Sequence, residues 1–167
     1  MSMIGNYFMT DEETILKIRQ GDISVEGSIY DENDDVDEEK CLDIDKAWHA
    51  IHFTLTGHMA NEDNDNILTK LTFSGNAVSN EDVGYGPAME ITANEVKEIN
   101  AALKDISQAD FRGKFNVKKM IENDIYPVRE DEDEDEFFEY VWQHFECLKD
   151  FIAKASETGS CLLFFLN

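Results

Sequence analysis

The last segment of the chain, Cys161–Leu166, is a continuous run of apolar residues, and it constrains the fold more than any other feature. A run of this length matches a strand and leaves no polar face for solvent, so both of its faces must be covered. It is also far shorter than the stretch of about 18 residues that a membrane-spanning helix requires. We therefore predict a buried strand in the middle of a sheet, beside a strand formed by the apolar residues of segment 3–9.

Most of the remaining predicted elements are helices that cover this sheet. Apolar residues recur with the helical period around Trp48, after the capping box that Thr92 and Glu95 can form, and along segment 137–152. The first of these helices has aspartates at its start and Gly57 at its end. Helices thus account for more of the predicted structure than strands do.

A further helix is predicted directly after the N-terminal strand, where Thr10 can cap it, Glu13 can complete a capping box and Gly21 can end it. The sequence therefore predicts a mixed α/β fold dominated by helices, with a small mixed sheet of about four strands. In that sheet the N-terminal and C-terminal strands are adjacent. Because no linker or internal repeat interrupts residues 1–167, we expect a single domain.

The chain is strongly acidic: 37 Asp and Glu residues stand against 14 Lys and Arg residues, for a formal net charge of −23. A field of this sign repels phosphate backbones and anionic lipid headgroups, so we expect neither nucleic acid nor a membrane surface as a partner. Much of the excess lies in two runs, near 31–39 and 130–136, which we expect to form solvated acidic loops. Such loops can steer a basic protein partner by long-range attraction, or they can serve solubility alone.

The sequence predicts neither a metal site nor a cofactor. Cys41, Cys147 and Cys161 lie far apart and lack the spacing of zinc ligands, so we expect reduced thiols. The run 31–39 fails as a calcium loop because a valine stands where the loop requires glycine. Segment 1–20 contains no basic stretch followed by an apolar one, as a secretion signal would, and we expect a cytoplasmic protein.

One polar stripe on the predicted Trp48 helix carries the residues best suited to chemistry: Asp45, His49, His52 and Thr56. The helical period places these side chains within about 60° of one another, at the margin of the apolar face. A carboxylate and two imidazoles can form a proton relay or, with a further acid, hold a divalent metal. The alternative is structural: Asp45 caps the helix, His52 bonds a backbone carbonyl and His49 is exposed.

Trp48, Tyr85 and Tyr126 are the other candidates for a ligand-binding site. Tyr85 lies between two glycines ahead of Pro87, in a turn that lets the backbone approach a ligand and presents a phenol that both donates and accepts. Tyr126 precedes Pro127, which favours extended backbone at the tyrosine. The glycines can equally serve a left-handed turn alone, with Tyr85 covering the edge of the core.

Three blocks of residues carry a resemblance to a known family. They are Leu-Asp-Ile-Asp-Lys-Ala-Trp-His at 42–49 with Leu-Thr-Gly at 55–57, Gly-Tyr-Gly-Pro-Ala at 84–88 and Ile-Tyr-Pro at 125–127. In order and spacing, over nearly the whole chain, the sequence resembles the YfbM-like family of bacterial proteins of unknown function. The resemblance implies an α/β domain with a small mixed sheet between helices, in the bacterial cytoplasm, and it implies no activity.

The leading functional hypothesis is a non-enzymatic binding or interaction protein, because nucleophile–base pairs, ligand spacings and cofactor fingerprints are absent from the sequence. Its partner would be a basic protein or a small molecule. The alternative is a small hydrolytic or proton-transferring enzyme, or a ligand sensor, built on the polar stripe of the Trp48 helix with Tyr85 and Tyr126 shaping a pocket. Both hypotheses require these separate parts of the chain to meet in space.

Overall fold

The computed structural model describes residues 2–62, 64–73 and 75–167. In these residues the strands are β1 (Gly5–Thr10), β2 (Cys41–Asp43), β3 (Asn76–Ala77), β4 (Met89–Ile91) and β5 (Cys161–Leu166). The α-helices are α1 (Glu12–Gln20), α2 (Val25–Ile29), α3 (Trp48–Thr56), α4 (Ala93–Leu103), α5 (Gln108–Lys114), α6 (Val117–Glu122) and α7 (Glu134–Thr158). Short 3₁₀ helices cover Asp45–Ala47 and Ile67–Leu71.

The strands form one antiparallel sheet in the order β2-β1-β5-β4-β3. β5 lies at its centre and pairs with β1 from Gly5 opposite Leu166 to Thr10 opposite Cys161, which confirms the predicted adjacency of the terminal strands. Two details of the prediction are wrong: the sheet is antiparallel rather than mixed, and it has five strands rather than about four. The missed strands, β2 and β3, span three and two residues at the sheet edges, too few to show a period.

The side chains of β5 divide between two apolar layers on opposite faces of the sheet. Leu162, Phe164 and Leu166 pack in the larger layer with residues of α3, α4 and α7. Leu163 and Phe165 pack in the smaller layer with residues of α1 and α2. Because helices cover both faces, all of β5 is buried, and its lack of a polar side is accounted for.

The start of α1 differs from the prediction by one residue. Asp11 is the cap, and its side chain accepts a hydrogen bond from the Thr14 N–H at 2.8 Å, so the predicted capping box of Thr10 and Glu13 is wrong. Thr10 is still part of β1, where it pairs with Cys161, and it therefore cannot also begin the helix. At the start of α4, in contrast, the predicted capping box is present in full.

The longest helix, α7, has 25 residues, packs one apolar side against the larger layer and extends beyond the predicted segment 137–152 at both ends. Asp133 caps it, so the last three residues of the acidic run 130–136 form its first turn instead of a loop. Acidic side chains are favourable there because the N-terminal end of a helix is electropositive.

The other run, 31–39, forms turns closed by one bridge between Tyr30 and Val36. Among the described residues, no helix has the combination of length and apolar character needed to cross a bilayer.

Candidate functional site

The segment around Trp48 is helical, as predicted, but its first residues are arranged differently. Asp45 lies in a 3₁₀ helix with a φ of 48°, in the left-handed region that aspartate tolerates better than most residues. Its N–H donates to Asp43 Oδ1 at 2.6 Å, and α3 begins at Trp48 without a side-chain cap. The expectation that Asp45 caps the helix is therefore wrong, whereas Gly57 does end α3 in the left-handed conformation.

Instead of capping α3, Asp45 is tied to α7. Its Oδ2 accepts a hydrogen bond from the Tyr140 hydroxyl at 2.9 Å, and the same hydroxyl accepts one from the Lys46 N–H at 3.1 Å. Burial of the phenol and its hydrogen bond to Asp45 raise the pKa of Tyr140. Tyr140 is consequently a neutral hydrogen-bond donor at physiological pH.

His49 is buried, with 8% of its surface exposed, which contradicts the expectation of an exposed ring. Its Nδ1 accepts a hydrogen bond from the Tyr126 N–H at 3.2 Å, while its Nε2 lies 3.5 Å from the Ala60 N. Because a neutral imidazole has one acceptor nitrogen, we assign the hydrogen bond to the shorter contact. Burial lowers the pKa of His49 to about 4, so the ring is neutral at pH 7.

His52 is buried still deeper, with 1% of its surface exposed. Its Nδ1 lies 2.8 Å from Thr72 Oγ1, within hydrogen-bond distance. Burial, together with the nearby His49 ring, lowers the pKa of His52 to about 4. Both histidines of the predicted polar stripe thus belong to the interior as neutral rings.

Tyr126 joins Trp48 and His49 in one aromatic stack. The Trp48 and His49 rings are nearly parallel with 4.8 Å between centroids, and Trp48 and Tyr126 are 6.3 Å apart. Trp48 Nε1 donates to the Met3 carbonyl and the Met3 N–H donates to the Tyr126 hydroxyl, each at 3.1 Å. The structure therefore brings Trp48, His49 and Tyr126 together, although they come from distant parts of the chain.

An open cleft of about 580 Å³ lies where Asp45 and Tyr126 meet α7, and we call it the Tyr126 cleft. It is lined by Ser2, Asp45, Lys46, Tyr126, Pro127, Arg129, Glu132, Glu136, Phe137 and Tyr140. Three carboxylates, two basic side chains and two phenols thus border one space. Neither Lys46 nor Arg129 forms an ion pair with any residue that the structure describes.

The other predicted site residues do not line this cleft. Thr56 Oγ1 donates to the His52 carbonyl at 2.8 Å within α3, and Thr56 borders a separate cleft beside Lys114 and Lys119. Tyr85 is 36% exposed, and its N–H donates to the Leu166 carbonyl at 3.0 Å at the end of β5. Of the seven candidates, only Asp45 and Tyr126 line the Tyr126 cleft. Trp48 and His49 do not line it, but both contact Tyr126.

Sequence reasoning missed Tyr140 and the charged residues Arg129, Glu132 and Glu136. The only local signal for Tyr140 is its place between the apolar and polar sides of an amphipathic helix, which suits an aromatic ring with a polar end. Its partner Asp45 lies 95 positions earlier, a distance over which no spacing rule applies.

The residues that line the cleft do not include either histidine. General acid–base chemistry at neutral pH is favoured by a group that titrates near 7, yet both histidines are buried away from the cleft and Tyr140 has a raised pKa. In the described ranges, no cluster of three or more His, Cys, Asp or Glu residues is arranged to hold a metal ion. What the cleft does offer is a set of charged groups and hydroxyls, among which the Asp45 carboxylate and the Tyr140 hydroxyl are hydrogen bonded to each other.

Comparison with known proteins places these features in one family. Residues 1–165 match the family model described as a domain of unknown function, DUF1877. Protein YfbM of Escherichia coli (strain K12) is 28% identical over 130 residues, which is 76% of this chain and 74% of that protein. The crystal structure of YfbM from Escherichia coli, a protein of unknown function, matches with a TM-score of 0.76 at 21% identity, over 99% of this chain and 100% of that chain. The YfbM-like resemblance seen in the sequence is thereby confirmed, and the structural match supports the α/β fold.

Proposed function

The chain belongs to the DUF1877 family of domains of unknown function, and within that family we propose that it is a non-catalytic binding protein whose Tyr126 cleft receives a lysine or arginine side chain of a partner protein. One observation carries the proposal: the carboxylates of Asp45, Glu132 and Glu136 border the same cleft as the rings of Tyr126 and Tyr140. Carboxylates and aromatic faces are the groups that bind ammonium and guanidinium ions best.

The fixed position of Asp45 supports this role. Its Oδ2 is held by the Tyr140 hydroxyl, and its backbone by the Asp43 side chain, so the carboxylate is oriented before a ligand arrives. A group that is already ordered loses less conformational entropy when it binds.

The acidic run 130–136 would speed the encounter with such a partner. Glu132 and Glu136 belong both to this run and to the cleft lining. In a chain with a net charge of −23, a concentration of negative charge beside a cleft attracts basic partners over about a Debye length, which is about 8 Å at physiological salt.

Lys46 and Arg129 refine the class of ligand. Both line the cleft without an ion-pair partner in the described chain, and both repel an isolated cation. A partner segment in which an acidic residue neighbours the basic one satisfies both sets of charges. We therefore expect a mixed basic and acidic segment to bind more tightly than a purely basic one.

We also propose, from the sequence, that the protein is a single acidic domain located in the bacterial cytoplasm. It would have neither a nucleic-acid partner nor a resident cofactor. The enzyme or sensor alternative has less support, because His49 and His52 are buried away from the cleft and Thr56 lines a different one.

The test uses the blocked peptide acetyl-Pro-Arg-Pro-Arg-Pro-Arg-Pro-amide, whose prolines remove every second backbone donor and favour the polyproline II conformation over a β-strand. We expect the double variant Glu132→Gln with Glu136→Gln to bind it about tenfold more weakly in isothermal titration, because two cleft carboxylates are neutralised. The double variant Glu98→Gln with Glu146→Gln is the matched control, since it removes the same charge from exposed positions on α4 and α7 outside the cleft lining. Equal weakening in both variants would mean that net charge alone attracts the peptide, and the proposal would be wrong.

A further inference from the structure

We infer that the open edge of the sheet at β2 is a second docking site, which binds an extended segment of a partner protein with alternating basic and apolar residues as an added strand. The inference does not depend on the function proposed for the Tyr126 cleft, because the two sites share no lining residue. It rests on the backbone of the edge, on the groove beside it and on the charge around that groove.

The hydrogen bonds between β1 and β2 show which residues of β2 direct their backbone N–H and C=O groups towards β1 and which direct them away from the sheet. At one end of the ladder the Ile44 N–H donates to the Gly5 carbonyl at 2.9 Å, and at the other end the Met9 N–H donates to the Lys40 carbonyl at 2.7 Å. In an antiparallel pair, hydrogen-bonded positions recur at every second residue. The two ends therefore determine which of the residues between them, Cys41 to Asp43, are hydrogen bonded to β1.

By this alternation Leu42, which lies opposite Tyr7, is hydrogen bonded to β1, and Cys41 and Asp43 turn their N–H and C=O groups away from the sheet. β2 is the outermost strand, and no backbone partner within the described chain meets these outward groups. An edge with unpaired donors and acceptors is a template for another strand. Two residues of β2 thus offer backbone hydrogen bonds to a partner.

A groove of about 290 Å³ runs beside this edge, and we call it the β2 groove. Its apolar and aromatic lining consists of Tyr7, Ile29, Tyr30, Val36, Cys41, Leu42 and Phe165. Tyr30 is 38% exposed, which is unusual for a large ring in this chain. Because the side chains of an added strand alternate between two faces, every second side chain of the partner would lie towards this groove.

The charge beside the groove indicates what the partner segment contains. The run 31–39 holds seven acidic residues and no basic one, and its turns are closed by the bridge between Tyr30 and Val36 in the groove lining. Lysine or arginine at the alternate positions of the partner would complement this charge. A second copy of the chain, with a net charge of −23, would be repelled at the same place.

The test uses two peptides of the same charge: acetyl-Lys-Val-Lys-Val-Lys-Val-Lys-amide, and the same peptide with every backbone nitrogen methylated. Methylation removes the donors for strand pairing and leaves the side chains unchanged. We expect the unmethylated peptide to bind about tenfold more tightly. In hydrogen-exchange NMR it should slow the amides of Cys41 and Asp43 and leave the amide of Leu42 unchanged, because Leu42 is already paired with β1.

Two pairs of variants complete the test. Tyr30→Ala should weaken binding about fivefold, whereas the control Tyr85→Ala, which removes a ring that is 36% exposed elsewhere, should leave it unchanged. Glu98→Gln with Glu146→Gln, which removes two acidic residues from exposed positions outside the linings of both the groove and the cleft, should also leave it unchanged. Equal affinity of the two peptides, or equal exchange of Cys41 and Asp43 with and without the peptide, would overturn the inference even if Tyr30→Ala does not fold.

Discussion

The segment around Trp48 has buried, neutral histidines on one side and a cleft lined by carboxylates and basic side chains on the other. Towards the core, burial keeps the rings of His49 and His52 neutral at pH 7. Towards α7, the Tyr126 cleft gathers three carboxylates and two basic side chains around the phenols of Tyr126 and Tyr140. Asp45 and Lys46 lie within a few residues of the two histidines along the chain, yet they border the open cleft whereas the histidines are buried as neutral rings.

The difference shows that neighbours on one helix need not share a role. A buried imidazole is tolerated because its neutral form can be hydrogen bonded, as the Nδ1 of His49 is by the Tyr126 N–H. A carboxylate at the start of the same segment keeps contact with solvent and accepts a hydrogen bond from Tyr140. Stability therefore depends on the histidine side, and recognition, by our proposal, on the cleft side.

The largest effect that this comparison predicts is a loss of stability in acid. The pKa of His49 and of His52 is about 4 in the folded chain against 6.5 for a free histidine, so the unfolded chain binds more protons between these values. The free energy of unfolding is unaffected by these rings above pH 6.5 and falls as the pH falls. By pH 4 the loss approaches about 3 kcal/mol for each ring.

Urea unfolding between pH 7.5 and pH 4.5 measures this loss. Many carboxylates also begin to titrate in this range, so the effect of the rings is taken as the difference between the natural chain and the double variant His49→Gln with His52→Gln. The variant is expected to be less stable at pH 7.5 and to depend less on pH. The same pH dependence in both proteins would show that the histidines are not the neutral, buried groups described here.

Much of the fold could be predicted from periodicity and end signals. The burial of β5 on both faces followed from its lack of any polar position, and the Thr92–Glu95 capping box from its spacing. The strands β2 and β3 could not be predicted, since they are short and depend on neighbours that are distant in sequence. The antiparallel direction of the sheet likewise depends on connections that no local pattern specifies.

The candidate site could be predicted only in part. Helical spacing correctly placed His49 and His52 on the same helix as Trp48, but it could not tell which of them would be buried. Asp45 has a positive φ and accepts a hydrogen bond from Tyr140, 95 positions later, and no local pattern specifies a contact over that separation. Tyr85 and Tyr126 looked equally plausible in turns rich in glycine or proline, and only the packing of Trp48 distinguishes them.

An intermediate effect is expected for Tyr140→Phe, which removes one hydroxyl at the boundary between the two sides. The change leaves the Asp45 carboxylate without its donor and the Lys46 N–H without its acceptor, so we expect unfolding to require about 1–2 kcal/mol less free energy. Urea unfolding at pH 7 measures it, with Tyr85→Phe as a control that should change stability by less than about 0.5 kcal/mol. A loss no larger than in the control would mean that this hydroxyl does not hold the start of α3.

The smallest effect on stability is expected for the cleft charges themselves. Glu132→Gln with Glu136→Gln removes two acids from the run 130–136, where relief of the repulsion between like charges opposes the loss of a favourable charge in the first turn of α7, so we expect the free energy of unfolding to change by less than about 0.5 kcal/mol. Urea unfolding at low and high salt measures this, with Glu98→Gln and Glu146→Gln as the matched pair. A loss above about 1 kcal/mol would show that these carboxylates stabilise the fold, as the buried rings do. The idea that the cleft side serves recognition and not stability would then be wrong.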